Sequence, residues 1–140
     1  MLTNRYPHVF SPIQIGPVRL KNRLGFAPMV CNKCTVDGTV TDSMVEFVYQ
    51  QASTGVGYVT IGDTQVDDDL GGAFMATLNI ARKTSIPGMI KLTEAAGFGG
   101  TVLSVELNHS GRGAKDDLTN GQPIGPSAVC FPRCSQNVRP

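Results

Sequence analysis

Tyr58-Val-Thr-Ile-Gly62 is the middle one of three short apolar runs that decide the fold. Arg23-Leu-Gly-Phe-Ala-Pro-Met29 precedes it, and Thr101-Val-Leu-Ser-Val-Glu-Leu107, rich in β-branched residues, follows it. The first two runs are nearly continuous in small or apolar residues, which is typical of parallel strands that are covered on both faces. The three runs therefore predict three parallel strands.

The first helical pattern lies between the first two predicted strands. Apolar side chains recur every three or four residues over residues 41–53, which indicates a helix with one buried face. Ser43 and Glu46 have the spacing of a capping box, so we expect the helix to begin there. Gly55 is the expected residue that ends it.

The second helical pattern covers residues 85–96 and precedes the third strand. Pro87 fits the first turn of this helix, and Gly97 is placed to end it. The resulting order is strand, helix, strand, helix, strand. This order predicts repeated βαβ units and a parallel α/β sheet.

Two architectures share that order, the doubly wound sheet and the (β/α)8 TIM barrel. No G-x-G-x-x-G follows the first strand, so the sequence does not support a dinucleotide site of the Rossmann type. A TIM barrel needs about 250 residues. The 140-residue chain would form its first three βα units, a partial barrel. Residues 10–22, with Gly16-Pro17 as the turn, are expected to form a β-hairpin that closes the bottom of the barrel.

The composition narrows the class of protein. Hydrophobic residues make up 41% of the chain and charged residues 16%, with a net charge of +1, which gives no electrostatic reason to expect nucleic acid as a partner. No apolar run approaches the roughly 18–20 residues that span a bilayer, and the N-terminus has no secretory pattern. We therefore expect a cytoplasmic protein without a membrane partner.

The four cysteines form two pairs, Cys31/Cys34 and Cys130/Cys134. In a reducing compartment such pairs are free thiols, metal ligands or redox groups. Both pairs follow a strand end, so four thiolates could meet there to bind zinc or an iron–sulfur cluster, but we favour ordinary loop cysteines and predict no metal. For the acidic run Asp67-Asp68-Asp69, a solvated loop is favoured over a cation site.

Several motifs follow one another in order over residues 10–128. They are Phe10-Ser-Pro-Ile-Gln-Ile-Gly-Pro-Val-Arg-Leu-Lys-Asn-Arg-Leu-Gly-Phe-Ala-Pro-Met29, Asp37-Gly38, Thr41-Asp42, Gly55-Val-Gly57, Glu106-Leu-Asn-His-Ser-Gly-Arg112 and Gly125-Pro-Ser127. In this order and spacing the motifs resemble the old yellow enzyme family, also called the NADH:flavin oxidoreductase family. Within it the sequence resembles the branch of 2,4-dienoyl-CoA reductase.

The resemblance implies that residues 1–140 are the N-terminal, incomplete part of an FMN-binding TIM-barrel domain. It implies an enzyme in which NAD(P)H reduces FMN and the flavin passes a hydride to the activated C=C bond of an enone or enoyl-CoA. In the full-length protein, FAD, a [4Fe–4S] cluster and a homo-oligomer are further expectations. The catalytic acid of the family would lie after Pro140, so no catalytic residue is expected in this chain.

Cofactor-binding residues can be placed at the ends of the three predicted strands. The resemblance implies that the backbone at Ala27, Pro28, Met29 and Val30 packs against the isoalloxazine ring. At the second strand end the family presents Glu-Gly, whereas this chain has Gly62-Asp63. An ungapped comparison puts Asp63 against the ring, and a shift by one residue puts Gly62 there, so both are candidates.

The third strand end carries Glu106 where the family has a glutamine that hydrogen-bonds the flavin pyrimidine edge. An ionised glutamate only accepts hydrogen bonds, so it can meet the flavin N3–H but repels O2. Glu106 is therefore either protonated through burial, or bound to the flavin edge in another way, or a solvated residue of the strand.

Beyond the strands, Cys31 and His109 are candidates for the substrate side of the site. His109 would orient the loop over flavin or substrate, or be satisfied by the backbone, and Arg112 is expected to pair with a carboxylate. Two non-enzymatic alternatives stay open. The chain could be an inactive fragment with open sheet edges, which favour aggregation, or a small α/β binding module without turnover.

Overall fold

The computed structural model describes residues 5–129 and Pro140. The regular elements are α1 (Pro7–Phe10), β1 (Ile13–Ile15), β2 (Val18–Leu20), β3 (Gly25–Phe26), α2 (Asp42–Ser53), β4 (Tyr58–Gln65), α3 (Ile86–Gly97) and β5 (Val102–Asn108). Short 3₁₀ turns cover Lys83–Ser85, Gly111–Gly113 and Asp116–Leu118.

The central sheet contains β3, β4 and β5 in sequence order, and both neighbouring pairs are parallel. Tyr58 of β4 lies opposite Gly25 on one side and opposite Val102 on the other. Helix α2 connects β3 to β4, and α3 connects β4 to β5. The predicted α/β class and the order of its elements are confirmed.

Two strand boundaries differ from the prediction. Of the run that ends at Met29, only Gly25–Phe26 pairs as a strand, and Pro28 lacks the N–H that a longer ladder would need. Strand β4 continues beyond Gly62 to Gln65, because its polar residues Asp63 and Thr64 are themselves buried in the sheet.

Helix α2 begins two residues earlier than the capping box suggested. Thr41 is the N-cap, and its Oγ1 accepts a hydrogen bond from the backbone N–H of Met44 at 3.2 Å. Ser43 lies inside the helix, so the predicted capping box is wrong. Gly55 ends the helix as predicted, with φ of +88° and its N–H bonded to the carbonyl of Ala52.

Helix α3 ends later than predicted. It includes Gly97, so the prediction that Gly97 stops the helix is wrong. The left-handed residue is Gly100, with φ of +66°, and its N–H donates to the carbonyl of Gly97 at 2.9 Å. Pro87 lies in the first turn, as predicted.

One apolar cluster holds the two helices against the sheet. Its buried members come from both helices, from β4 and from the loops at the strand ends: Cys34, Met44, Val48, Ile61, Leu78, Leu92 and Ala96. Within the described residues, no helix has the length and apolar character needed to cross a membrane.

The predicted hairpin is formed by β1 and β2, paired antiparallel with Gly16 at φ of +55° in its turn. Leu20 of the hairpin is buried, and Tyr58 and Val102, the first residues of β4 and β5, line the same cleft. Lys21 Nζ donates to the carbonyl of Gly99, just before β5. The hairpin therefore lies at the amino ends of the strands and leaves their carboxyl ends free.

Candidate functional site

The carboxyl ends of the three parallel strands meet at one edge of the sheet, which is where ligand sites form in parallel α/β folds. The structure brings together residues 27–30, Gly62-Asp63 and Glu106 at this edge. Residues 27–30 are exposed, with Met29 at 55% and Val30 at 36%. The segment expected to face a flat ring is thus an open, apolar stretch of chain.

Gly62 packs directly against this segment. A Cβ atom on Gly62 would lie 2.2 Å from the backbone nitrogen of Met29 and 2.8 Å from its Cα. Real Cβ atoms do not come this close to backbone, so only glycine fits here. The contact fixes residues 27–30 beside the end of β4.

A β-bulge gives the two candidates Gly62 and Asp63 different positions in the sheet. Ile61 pairs with Val105 and Thr64 pairs with Leu107, so two residues of β4 lie opposite Glu106 of β5. One of these two, Asp63, has a left-handed φ of +52°. The bulge leaves Gly62 against Met29 and turns the backbone N–H of Asp63 toward Glu106, so the two residues have different contacts.

Asp63 and Glu106 form a pair of carboxylates with unequal environments. The backbone N–H of Asp63 donates to Glu106 Oε2 at 3.3 Å. Asp63 is only 8% exposed, and burial raises the pKa of its carboxyl, with a smaller contribution from the negative charge of Glu106. A hydrogen bond from Asn108 opposes the shift. Glu106 is exposed, so the burial we considered for Glu106 belongs to Asp63 instead.

Cys31 is turned toward helix α2. Its thiol lies 3.4 Å from the sulfur of Met44, and the side chain is half-buried. Cys34 belongs to the apolar core, where burial raises the pKa of its thiol to about 12. Cys130 and Cys134 lie outside the described residues.

His109 joins the loop after β5 to the loop after β4. Its Nδ1 accepts from the backbone N–H of Gly111 at 3.0 Å, so the proton is on Nε2, which donates to Asp67 Oδ2 at 3.2 Å. His109 therefore has a backbone partner, as one of the two interpretations expected, and also a side-chain partner on the neighbouring loop. The pairing with Asp67 has no local signal in the sequence, because 42 residues separate the two side chains.

The acidic run is used to hold loops together. Asp67 accepts from the backbone N–H of Asp69, which holds the pKa of Asp67 below its usual value. Asp68 pairs with Arg82, and this pairing lowers the pKa of Asp68. Asp69 accepts from Asn120. In the part of the chain that the structure describes, no group of three potential ligands is arranged to hold a metal ion.

Solved structures with the same fold were found by comparison. The structure is similar to that of 2-naphthoyl-CoA reductase in complex with 2-naphthoyl-CoA, with a TM-score of 0.83 and 26% identity over 91% of this chain and 21% of that one. It is also similar to the old yellow enzyme homologue from Zymomonas mobilis, with a TM-score of 0.78 and 28% identity over 88% of this chain and 34% of that one.

Sequence relatives agree with the structural ones. The chain is 30% identical to an NADH oxidase of Thermoanaerobacter brockii over 89% of its own length, and 36% identical to an NADH:fumarate oxidoreductase of Klebsiella pneumoniae over 81%. It spans only 19% and 12% of those two proteins. Residues 8–137 match the family described as NADH:flavin oxidoreductase / NADH oxidase. Together with the site at the strand ends, this match shows that the chain belongs to the NADH:flavin oxidoreductase / NADH oxidase family, the family of old yellow enzyme.

Proposed function

We propose that the protein is an FMN-dependent NAD(P)H oxidoreductase of the ene-reductase type, acting on the activated C=C bond of an enone or enoyl-CoA. The observation that carries this proposal is the exposed apolar segment of residues 27–30, held against Gly62 at the strand ends. Two relatives are named for fumarate and acrylate, and both compounds have a C=C bond next to a carboxylate. The similarity to 2-naphthoyl-CoA reductase supports a thioester substrate and the 2,4-dienoyl-CoA reductase branch.

Residues 1–140 would form the N-terminal part of an FMN-binding (β/α)8 barrel. The support is the parallel sheet in sequence order, with a hairpin at the amino ends of its strands. A complete barrel needs about 250 residues. The chain spans 19% of the NADH oxidase. We propose FAD and a [4Fe–4S] cluster as further cofactors of the full-length protein.

The residues at the strand ends fit an isoalloxazine ring. A flat, mostly apolar ring needs an open apolar surface that backbone can approach, and residues 27–30 provide it. When bound, the flavin supplies the hydride transfer between NAD(P)H and the alkene. The chain's own part is to hold and orient the ring, with Gly62 keeping residues 27–30 in place.

Glu106 would hold the pyrimidine edge. The N–H of Asp63 occupies one carboxylate oxygen, Oε2, so Oε1 is left to accept the N3–H of the ring. Asp63 is the buried carboxylate beside Glu106, and it does not need to touch the ring. Cys31 and His109 would border the substrate side, the latter through the loop that it fixes to Asp67.

Flavin binding and turnover test this proposal. We expect added FMN to lose fluorescence on binding to the purified full-length protein, and NADH to be consumed by it when a simple cyclic enone or crotonyl-CoA is present. Ala27→Leu, which adds bulk to the ring surface, should weaken FMN binding by roughly tenfold, equivalent to about 1.4 kcal/mol.

Ala81→Leu is the matched control, since Ala81 is an exposed alanine outside the strand ends. Equal effects of the two substitutions would contradict the placement of the ring on residues 27–30. A full-length protein that binds no FMN would contradict the proposed function, whereas loss of binding in residues 1–140 alone would favour the alternative of an inactive fragment.

A further inference from the structure

The segment Cys31-Asn-Lys-Cys34 follows the proposed ring surface and places two thiols on one apolar cluster. Cys34 is a buried member of that cluster, and Cys31 packs against it from outside. The Cys31 thiol reaches the Met44 sulfur at 3.4 Å, and Met44 is at the centre of the same cluster with no exposed surface. The flavin chemistry proposed above makes no use of Cys34.

The backbone between the cysteines is turned and fixed. Asn32 has a left-handed φ of +48°, which changes the chain direction between the two side chains. The N–H of Cys34 donates to the carbonyl of Ala76 at 3.0 Å, and the carbonyl of Lys33 accepts from the hydroxyl of Thr41. Both side chains pack on the same apolar cluster, with two residues between them in the chain.

The two thiols differ in access. Cys31 is half-buried and can be reached from solvent, whereas Cys34 is 8% exposed. An outside reagent can therefore attack or be attacked only at Cys31. This is the asymmetry that a thiol–disulfide exchange pair needs, with one accessible thiol and one protected thiol that acts afterwards.

We propose that Cys31 and Cys34 are a redox-active dithiol pair that exchanges with low-molecular-weight disulfides. In the first step, the Cys31 thiolate attacks one sulfur of the disulfide RSSR, whose S–S bond breaks and releases RS⁻, protonated to RSH. In the second step, the Cys34 thiol gives up its proton, and its sulfur attacks the Cys31 sulfur of the mixed disulfide. That bond breaks, the Cys31–Cys34 disulfide forms, and a second RSH leaves. The dithiol is oxidised by two electrons, and RSSR is reduced by two.

Mass spectrometry of the 140-residue chain tests the pair without any flavin, so this test and the flavin test fail independently. Cys130→Ser and Cys134→Ser form the background, which leaves two thiols. With glutathione disulfide in native buffer, we expect a product that is lighter by two hydrogen atoms and carries no glutathione. Since Lys33 lies between the cysteines, trypsin should give two peptides that stay joined until they are reduced.

Two further variants separate the roles of the thiols. In the same background, Cys34→Ala should form a mixed disulfide of Cys31 with one glutathione and react no further. Cys31→Ala should stay unmodified in native buffer and react at Cys34 in guanidinium chloride. The tryptic digest is made on the background that keeps both Cys31 and Cys34. It therefore decides the outcome even if Cys34→Ala does not fold. A stable glutathione adduct on Cys31 while Cys34 is present, or no reaction at all, would overturn the proposal.

Discussion

The backbone N–H of Asp63 reaches the carboxylate of Glu106 across a bulge in a parallel pair of strands, with an N–O distance of 3.3 Å. The contact joins a buried acid to an exposed one at the edge where the three strands end. Salt bridges in the described residues involve Arg82 and His109 and include neither member of this pair. Asp63 is the member of the pair whose charged form is disfavoured by burial.

Asp63 should make the protein less stable as the pH rises. Burial raises the pKa of its carboxyl in the folded state. A raised acid pKa means that the folded state favours the neutral form, so this contribution to stability is complete below the unfolded pKa of about 3.9 and is lost as the pH rises through the folded value. Asp63→Asn stays neutral and tolerates the left-handed φ of this position. The free energy of unfolding of the variant, measured with urea between about pH 4 and pH 7, should therefore fall less with rising pH than that of the wild type.

Asp117→Asn is the control for that experiment, because Asp117 is an exposed acid in a surface turn. Its pH profile should follow the wild type. A profile of Asp63→Asn that is parallel to the wild type would show that Asp63 is not the group responsible.

Glu106→Gln should strengthen FMN binding by roughly tenfold, equivalent to about 1.4 kcal/mol, and raise the flavin midpoint potential. The amide offers both a donor and an acceptor, whereas the carboxylate only accepts and repels the anionic reduced ring. Fluorescence titration and redox titration with a reference dye measure the two effects. Glu94→Gln on the exposed surface of α3 should change neither, and an unchanged potential in Glu106→Gln would place Glu106 away from the ring.

Gly62→Ala should destabilise the protein by about 1–3 kcal/mol, since the new methyl group overlaps backbone that cannot move aside easily. The obstacle is Met29, whose backbone nitrogen would be 2.2 Å from the new Cβ. Gly97→Ala is the matched substitution in open space within α3 and should stabilise by about 0.5–1 kcal/mol. Thermal unfolding of the two variants compares them directly. Equal melting temperatures would mean that β4 and Met29 are not in close contact.

Thr41→Ala should cost about 1 kcal/mol of stability, because it removes the side-chain cap of α2. Ser43→Ala, the substitution that a capping box would make harmful, should be neutral or slightly stabilising, as alanine is the better residue inside a helix. Urea unfolding of both variants distinguishes the two starts of the helix. A larger loss of unfolding free energy for Ser43→Ala than for Thr41→Ala would identify Ser43 as the N-cap residue.

The sequence predicted the features that depend on local pattern. The βαβ order follows from alternating apolar runs, and the hairpin follows from Gly16-Pro17, since each signal lies within a few residues. Thr41 and Ser43 both have the hydroxyl that a cap needs. Which of them is the cap depends on backbone angles, which no spacing rule contains.

Other features depend on contacts between distant residues. The bulge exists because Gly62 meets Met29 while Asp63 is buried beside Glu106, and each of these contacts joins separate strands. For the same reason, the pairing of Asp67 with His109 could not be predicted from the sequence. The site residues could be named from the strand ends. Which of the two carboxylates is buried and which is exposed depends on the three-dimensional fold.

The hairpin also sets an order of events during synthesis. Its Lys21 binds the carbonyl of Gly99, 78 positions later in the chain. A ribosome therefore releases the hairpin long before its docking surface exists, and at 5–20 residues per second, roughly the usual rate, the delay is several seconds. During this interval the hairpin has only its own two strands, which are marginally stable alone. The hairpin is thus made early but fixed only after the chain up to Gly99 has followed it.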